Sequence, residues 1–130
     1  MSSTLIIIPT YNEINNITEL IDLIFAIDDN RFQLLFVDDN SPDGTGQLIE
    51  EKAKKNSAIH IISRAGKFGL GTAYIEGFKW AIDNGYDYII QMDADLSHNP
   101  SDIPRLLVEA KKHKLAVGSR YLDGFNVVNW

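Results

Sequence analysis

Residues 88–98 read Tyr-Ile-Ile-Gln-Met-Asp-Ala-Asp-Leu-Ser-His, an apolar run that stops at two acids, Asp93 and Asp95, with one residue between them. The run has the length of a strand, and its want of polar alternation belongs to a strand covered on both faces, as in a parallel sheet. In extended chain the side chains at i and i+2 share a side, so both carboxylates can reach one point, with the small Ala94 keeping the space between them open. A hard divalent cation suits such a pair, because Mg2+ binds through one or two carboxylates plus substrate phosphates and keeps several waters. The triplet reads equally as two strand-end aspartates serving a turn, since Asp-x-Asp alone is a weak motif. His98, beside Asn99-Pro100, reads as a solvent-facing turn residue and not as a ligand.

Outward from this run the same pattern repeats. Short stretches rich in Ile, Leu, Val and Phe, at Thr4 to Pro9, Gln33 to Asp38, Ile59 to Ser63, Tyr88 to Asp93 and Leu115 to Gly118, alternate with stretches of helical period. Ile17, Leu20, Ile21 and Ile24 recur at three and four, as do Leu70, Ala73, Tyr74, Gly77, Phe78, Ala81 and Ile82. Each set makes one apolar stripe for a sheet. Leu48, Ile49 and Ala53 mark a weaker helix inside a charged run from Glu50 to Lys55, and Ile103, Leu106, Leu107 and Ala110 mark a last one, with Asn99 as cap and Pro100 in its first turn. The fold class is therefore α/β, a parallel sheet with helices on both faces. Asn16-Ile17-Thr18 has glycosylation spacing but reads as a helix start. From Leu122 to Trp130 no period emerges.

The 130 residues, 45% hydrophobic, suit one domain with a real core. A formal net charge of -6 leaves no electrostatic footprint for nucleic acid. An anionic ligand would need a local device, such as a metal or a helix N-terminus. Cysteine is absent, which excludes disulfides and thiolate chemistry. The N-terminus shows no basic start or small-residue cleavage site, its run from Leu5 to Pro9 is strand-sized, and no stretch approaches a membrane span, so the expected compartment is the cytoplasm.

Parallel strands joined by right-handed crossovers gather the strand-to-helix loops at one edge, where ligands bind at the reversal of strand order. That edge collects Thr10 to Glu13, Asp38 to Gly44, Arg64 to Gly71 and Asp93 to Ser97. Of the adjacent like charges Asp38 and Asp39, only one can face the cleft, and such a pair is tolerated when one finds a donor. Both also read as servants of the turn Asn40-Ser41-Pro42-Asp43-Gly44. Gly66, Gly69 and Gly71 around Lys67 could let amides approach a phosphate, although they form neither a P-loop nor a dinucleotide fingerprint.

In series, Pro9-Thr10-Tyr11-Asn12-Glu13, Asp38-Asp39-Asn40-Ser41-Pro42-Asp43-Gly44-Thr45, Gly69-Leu70-Gly71-Thr72-Ala73-Tyr74, Met92-Asp93-Ala94-Asp95-Leu96-Ser97-His98 and Gly118-Ser119-Arg120-Tyr121 resemble the dolichyl-phosphate mannose synthases. These are inverting glycosyltransferases of family 2 with the Rossmann-like GT-A fold. The resemblance implies that Pro9, Tyr11, Glu13, Val37 and Asp39 line the pocket for the donor nucleoside. It implies that Asp93, Ala94 and Asp95 hold the metal, Mg2+ or Mn2+, and the diphosphate, with Arg120 on the phosphates. Ser97 stands where some members have a metal-binding Gln, which a hydroxyl replaces only weakly or through water. The chain departs from the pattern after Tyr121, where Asp123 to Asn129 precede Trp130 in place of a glycine-rich turn.

The implied reaction is transfer of mannose from GDP-mannose to a polyprenyl phosphate such as dolichyl phosphate, with inversion. Residues 1–121 would be the nucleotide-sugar-binding domain and residues 122–130 the start of an acceptor-side region, cut from a longer chain whose full form sits at the cytoplasmic face of a membrane. Apolar residues near the end, Phe125, Val127, Val128 and Trp130, would favour association between copies. Three alternatives share features of the sequence: a relative using UDP-glucose or another UDP-sugar, a phosphohydrolase of the haloacid dehalogenase type with an Asp nucleophile, and a noncatalytic nucleotide-binding module.

Overall fold

The computed structural model describes residues 4–26, 32–66, 69–95, 115–119 and 124–127. Its elements run β1 (Thr4–Thr10), α1 (Ile14–Phe25), β2 (Phe32–Asp38), α2 (Thr45–Lys55), β3 (Ile59–Ser63), α3 (Leu70–Asp83), β4 (Tyr88–Gln91), β5 (Leu115–Ser119) and β6 (Gly124–Val127). The strand order is β3-β2-β1-β4-β5-β6. The first five are mutually parallel and β6 pairs antiparallel with β5. The order therefore reverses between β1 and β4, the switch point of a doubly wound sheet.

The central strands are apolar throughout because both of their faces are covered. Ile6 and Ile8 of β1 and Leu34 and Phe36 of β2 meet Ile17, Leu20 and Ile24 of α1 and Ile49 of α2 on one face. Leu5, Ile7, Leu35 and Val37 meet Ala73 and Ala81 of α3 on the other. The α1 stripe is buried as its period predicts. On α3 the inward line is Ala73, Gly77 and Ala81, spaced by four, whereas Ile82, expected in the stripe, is 60% exposed. One residue beyond Ala81 a helix has turned by about 100°, enough to carry a side chain off the buried face.

β1 ends at Thr10, β2 begins at Phe32 and β5 ends at Ser119, each one residue beyond the sequence reading, and two larger differences stand beside these. β4 stops at Gln91 instead of Asp93, because its register with β1 ends at Ile7↔Gln91 while β1 continues along β2 to Thr10↔Asp38. A last bond from Met92 N–H to the Ile7 carbonyl (3.1 Å) closes that ladder. Beyond it β1 and β4 part, and a crevice opens. The second difference is β6, at residues where no regular structure was expected. Four residues containing Gly and Asn carry too little period to read as a strand, and the pairing with β5, from Ala116↔Val127 to Ser119↔Gly124, is what makes them one. The predicted helix after Asn99 lies outside the described residues.

Gly77 lets α3 lie close on β1: a Cβ there would sit 2.7 Å from Ile7 Cγ2. Gly77→Ala should destabilise the fold by about 1–3 kcal/mol despite alanine's better helix propensity, through overpacking. Urea denaturation, with the midpoint lowered at unchanged slope, checks this.

Candidate functional site

The loops at the crevice are fastened to one another before any ligand is considered. Asp38, 3% exposed at the end of β2, accepts from the Thr10 hydroxyl (2.8 Å), the Ser41 hydroxyl (2.6 Å) and the Ser41 backbone N–H (3.1 Å). Ser41 in turn accepts from Asn12 N–H (2.9 Å), and Thr45 Oγ1 accepts from Glu13 N–H (3.0 Å). Asp43 accepts from Ile14 N–H (3.2 Å) and from the backbone and hydroxyl of Thr45. The amides leading into α1, which lack partners inside the helix, are thus satisfied by the β2–α2 loop. Asn12 and Asn40 hold φ of 54 and 55, left-handed positions that asparagine tolerates. Asp38 therefore serves the turn.

Asp39 has a different fate. It is 7% exposed and lines the crevice, where Arg64, just past β3 and also 7% exposed, holds both of its oxygens, Nε to Oδ1 at 2.5 Å and Nη2 to Oδ2 at 2.8 Å. The same guanidinium donates to Thr72 Oγ1 (2.9 Å) and the Gly69 carbonyl (3.1 Å), at the start of α3, and lies 3.6 Å from Glu76. Hydrogen bonding to Asp39 raises its pKa further. Sequence reasoning placed Arg64 only as the start of a loop. The signal that could have found it is the adjacent acids themselves, which require a donor, and Arg64 stands at the neighbouring strand end, where Asp38 pairs with Ser63.

The crevice, about 370 Å³, lies where β1 and β4 part and is lined by Pro9, Thr10, Tyr11, Glu13, Asp39, Gly69, Ala73, Asp93, Ala94 and Asp95. That volume is within the range of small-molecule sites. Of the residues expected there, Pro9, Tyr11, Glu13, Asp39, Asp93, Ala94 and Asp95 come together. Val37 does not line it: with no exposed surface, it packs in the core against α3, because its side chain falls on the sheet face that α3 covers. Ser97, His98, Arg120 and Lys67 lie outside the described residues. Tyr11 is 37% exposed, Ala94 is buried, and Glu13 accepts from Asn16 Nδ2 (2.8 Å). The Tyr74 hydroxyl lies 3.3 Å from Asp93 Oδ1. Burial, then the charges of Asp93 and Asp95, push its phenol far above the ordinary value, so it is a neutral O–H donor at physiological pH.

Among the described residues no group of three or more His, Cys, Asp or Glu is disposed to hold a metal ion. Asp93 and Asp95, flanking the buried Ala94 at one wall of the crevice, fit instead an ion that completes its shell with water and substrate phosphate, as Mg2+ does. Gly69, with φ of 102, begins α3 at the same crevice. Among the described residues no helix is long and apolar enough to cross a membrane.

A doubly wound sheet with an acid pair beside its switch point is the architecture of the GT-A glycosyltransferases, and comparison with solved structures bears this out. A mannosyltransferase from Pyrobaculum calidifontis, solved in complex with GDP-Man and Mn2+, superposes with a TM-score of 0.62 at 25% identity, over 71% of this chain and 27% of that one. The chain belongs to glycosyl transferase family 2, whose family model matches residues 5–130. It is 44% identical over 127 residues to an undecaprenyl-phosphate mannosyltransferase of Micrococcus luteus, covering 97% of this chain and 51% of that protein. It is 45% identical over 130 residues to a polyprenol monophosphomannose synthase of Mycolicibacterium smegmatis, covering 98% and 48%. The chain thus spans about half the length of these curated relatives.

Asp43 gives the loop fastening a pH signature. Burial pushes its carboxyl up, but the bonds from the side chain and backbone of Thr45 and from Ile14 outweigh it, and its pKa lies below the ordinary 3.8. A carboxyl depressed by folding stabilises above its unfolded pKa, and that stability is lost as pH falls through the lower folded value. Asp43→Asn should therefore flatten the acid limb of the stability curve below about pH 4, measured by urea midpoints across a pH series.

Proposed function

We propose that the protein transfers mannose from GDP-mannose to a polyprenyl phosphate, such as dolichyl phosphate, with inversion at the anomeric carbon. The single observation that carries this reading is the convergence of Tyr11 and Asp39 with Asp93 and Asp95 around one crevice. The names and bound donor of the relatives support the choice of sugar, base and lipid. Tyr11 offers an apolar face to the nucleobase. Asp39 offers an acceptor to a ring N–H, its carboxylate already set by Arg64. Asp93 and Asp95 would hold a divalent ion, Mg2+ or Mn2+, for the donor diphosphate, and the family resemblance would add Ser97 as a weaker ligand and Arg120 as a phosphate partner.

In the transfer, the bond from the anomeric carbon to the acceptor phosphate forms as the bond to the donor diphosphate breaks, the diphosphate leaving with the electron pair. A bound divalent ion supplies Lewis-acid stabilisation of that departing charge. The acceptor is already an anion at neutral pH, so the reading asks no residue to act as general base. In this reading the described crevice serves the donor, and the chain spans about half the length of the relatives named for lipid-phosphate acceptors. A lipid-phosphate acceptor would have the protein work peripherally at the cytoplasmic face of a membrane. Transfer of radiolabelled mannose to polyprenyl phosphate in detergent, by this chain and by one extended to the relatives' length, tests the assignment. Absence of transfer by the longer chain with GDP-mannose, and transfer with a UDP-sugar, would overturn the donor.

Binding separates the contributions. GDP affinity measured by calorimetry should require Mg2+ or Mn2+, since a diphosphate would otherwise face two carboxylates, and Asp95→Ala should erase the metal dependence. Asp39→Asn should weaken GDP by about tenfold or more while leaving free diphosphate nearly unchanged, because the nucleobase loses a charged acceptor and the diphosphate does not. Asparagine is the informative substitution, as it keeps one oxygen for Arg64 where alanine keeps neither.

A further inference from the structure

We propose that Tyr74 is a positioning residue for Asp93, its hydroxyl fixing that carboxylate in the orientation that faces the crevice beside Asp95. The inference rests on the reading of Asp93 and Asp95 as the residues that face a divalent ion and the donor diphosphate. Asp93 stands two residues past the end of β4 at Gln91, where the register with β1 has stopped, so its orientation is not set by the ladder itself. A carboxylate held in its ligand-facing orientation before the ligand arrives lowers the ordering cost of binding.

Tyr74 is itself anchored. Its ring packs against the core on the α3 side of the sheet, and its hydroxyl lies 3.3 Å from Asp93 Oδ1. What places it is the close seat of α3 on β1: Gly77, one turn along the helix, leaves no room for a side chain against Ile7, and a turn separates neighbours on one helical face. The packing of the ring would be served as well by phenylalanine. A hydroxyl in a partly covered site costs free energy unless it is bonded, and Asp93 is the partner the geometry supplies. A carboxylate has about four acceptor positions, so accepting from a phenol does not exhaust it for an ion.

Tyr74→Phe deletes the hydroxyl and keeps the ring. With GDP present, Mn2+ affinity read by electron paramagnetic resonance should fall about threefold to tenfold. The urea midpoint and the affinity for the free nucleoside guanosine should stay at wild-type values, a split that a purely structural role would not produce. In an Asp93→Asn background the same substitution should add little, which a double-mutant cycle measures. Wild-type Mn2+ affinity in Tyr74→Phe, or an equal loss in the Asp93→Asn background, overturns the positioning role while Mn2+-dependent GDP binding by the wild type still stands. Wild-type binding indifferent to Mn2+ would instead remove the reading of the acid pair, and this inference with it.

Discussion

Everything at the crevice depends on a buried carboxylate that never reaches it. Asp38 takes three donors, from Thr10 at the end of β1 and from the backbone and hydroxyl of Ser41, and so binds the loop after β2 to the strand beside it. A charge so deeply placed is tolerable only with its acceptor positions filled, and removing the donors would leave it uncompensated. Ser41 then passes the constraint to Asn12, while Thr45 and Asp43 pass it to Glu13 and Ile14. Two helix starts and two strand ends become one rigid rim. The neighbouring acid, Asp39, can be devoted to the crevice because Asp38 does the fastening.

The rim is completed from the opposite side by α3. Arg64 joins Asp39 to Thr72 and Gly69 at the beginning of that helix, and Tyr74 reaches Asp93 one turn further on. A single helix therefore sets where two acids stand on two walls of the crevice. Its close approach at Gly77 ties that spacing to the hydrophobic core. Precision at the site is thus inherited from packing and not from the loops alone, which is how functional groups are held most firmly.

Much of this was written plainly in the sequence. The unbroken apolar runs announced doubly covered strands, the stripe from Ile17 to Ile24 announced α1, and the polar loops fell at one edge because parallel strands require it. Less legible were features that exist only between distant residues. Nothing local says that β1 continues past the end of β4, yet that mismatch opens the crevice and takes Asp93 out of the ladder. β6 depends on its partner for its definition. Val37 was assigned to the pocket by likeness of motif, and the alternation of a strand buries it instead. Arg64 is less legible because adjacent acids require a donor, while only the pairing of β2 with β3 says which strand end supplies it.

The pairing of Arg64 with Asp39 has a consequence for substitution at either position. Both side chains are nearly inaccessible, and losing either one removes the other's closest charge partner, a change that costs up to about 3–5 kcal/mol where a buried ion pair is broken on one side. That is a large share of the stability of an ordinary domain. A change at the acid alone therefore carries a folding cost in addition to any effect at the crevice. The two positions are energetically coupled, so the cost of a substitution at one depends on the residue at the other.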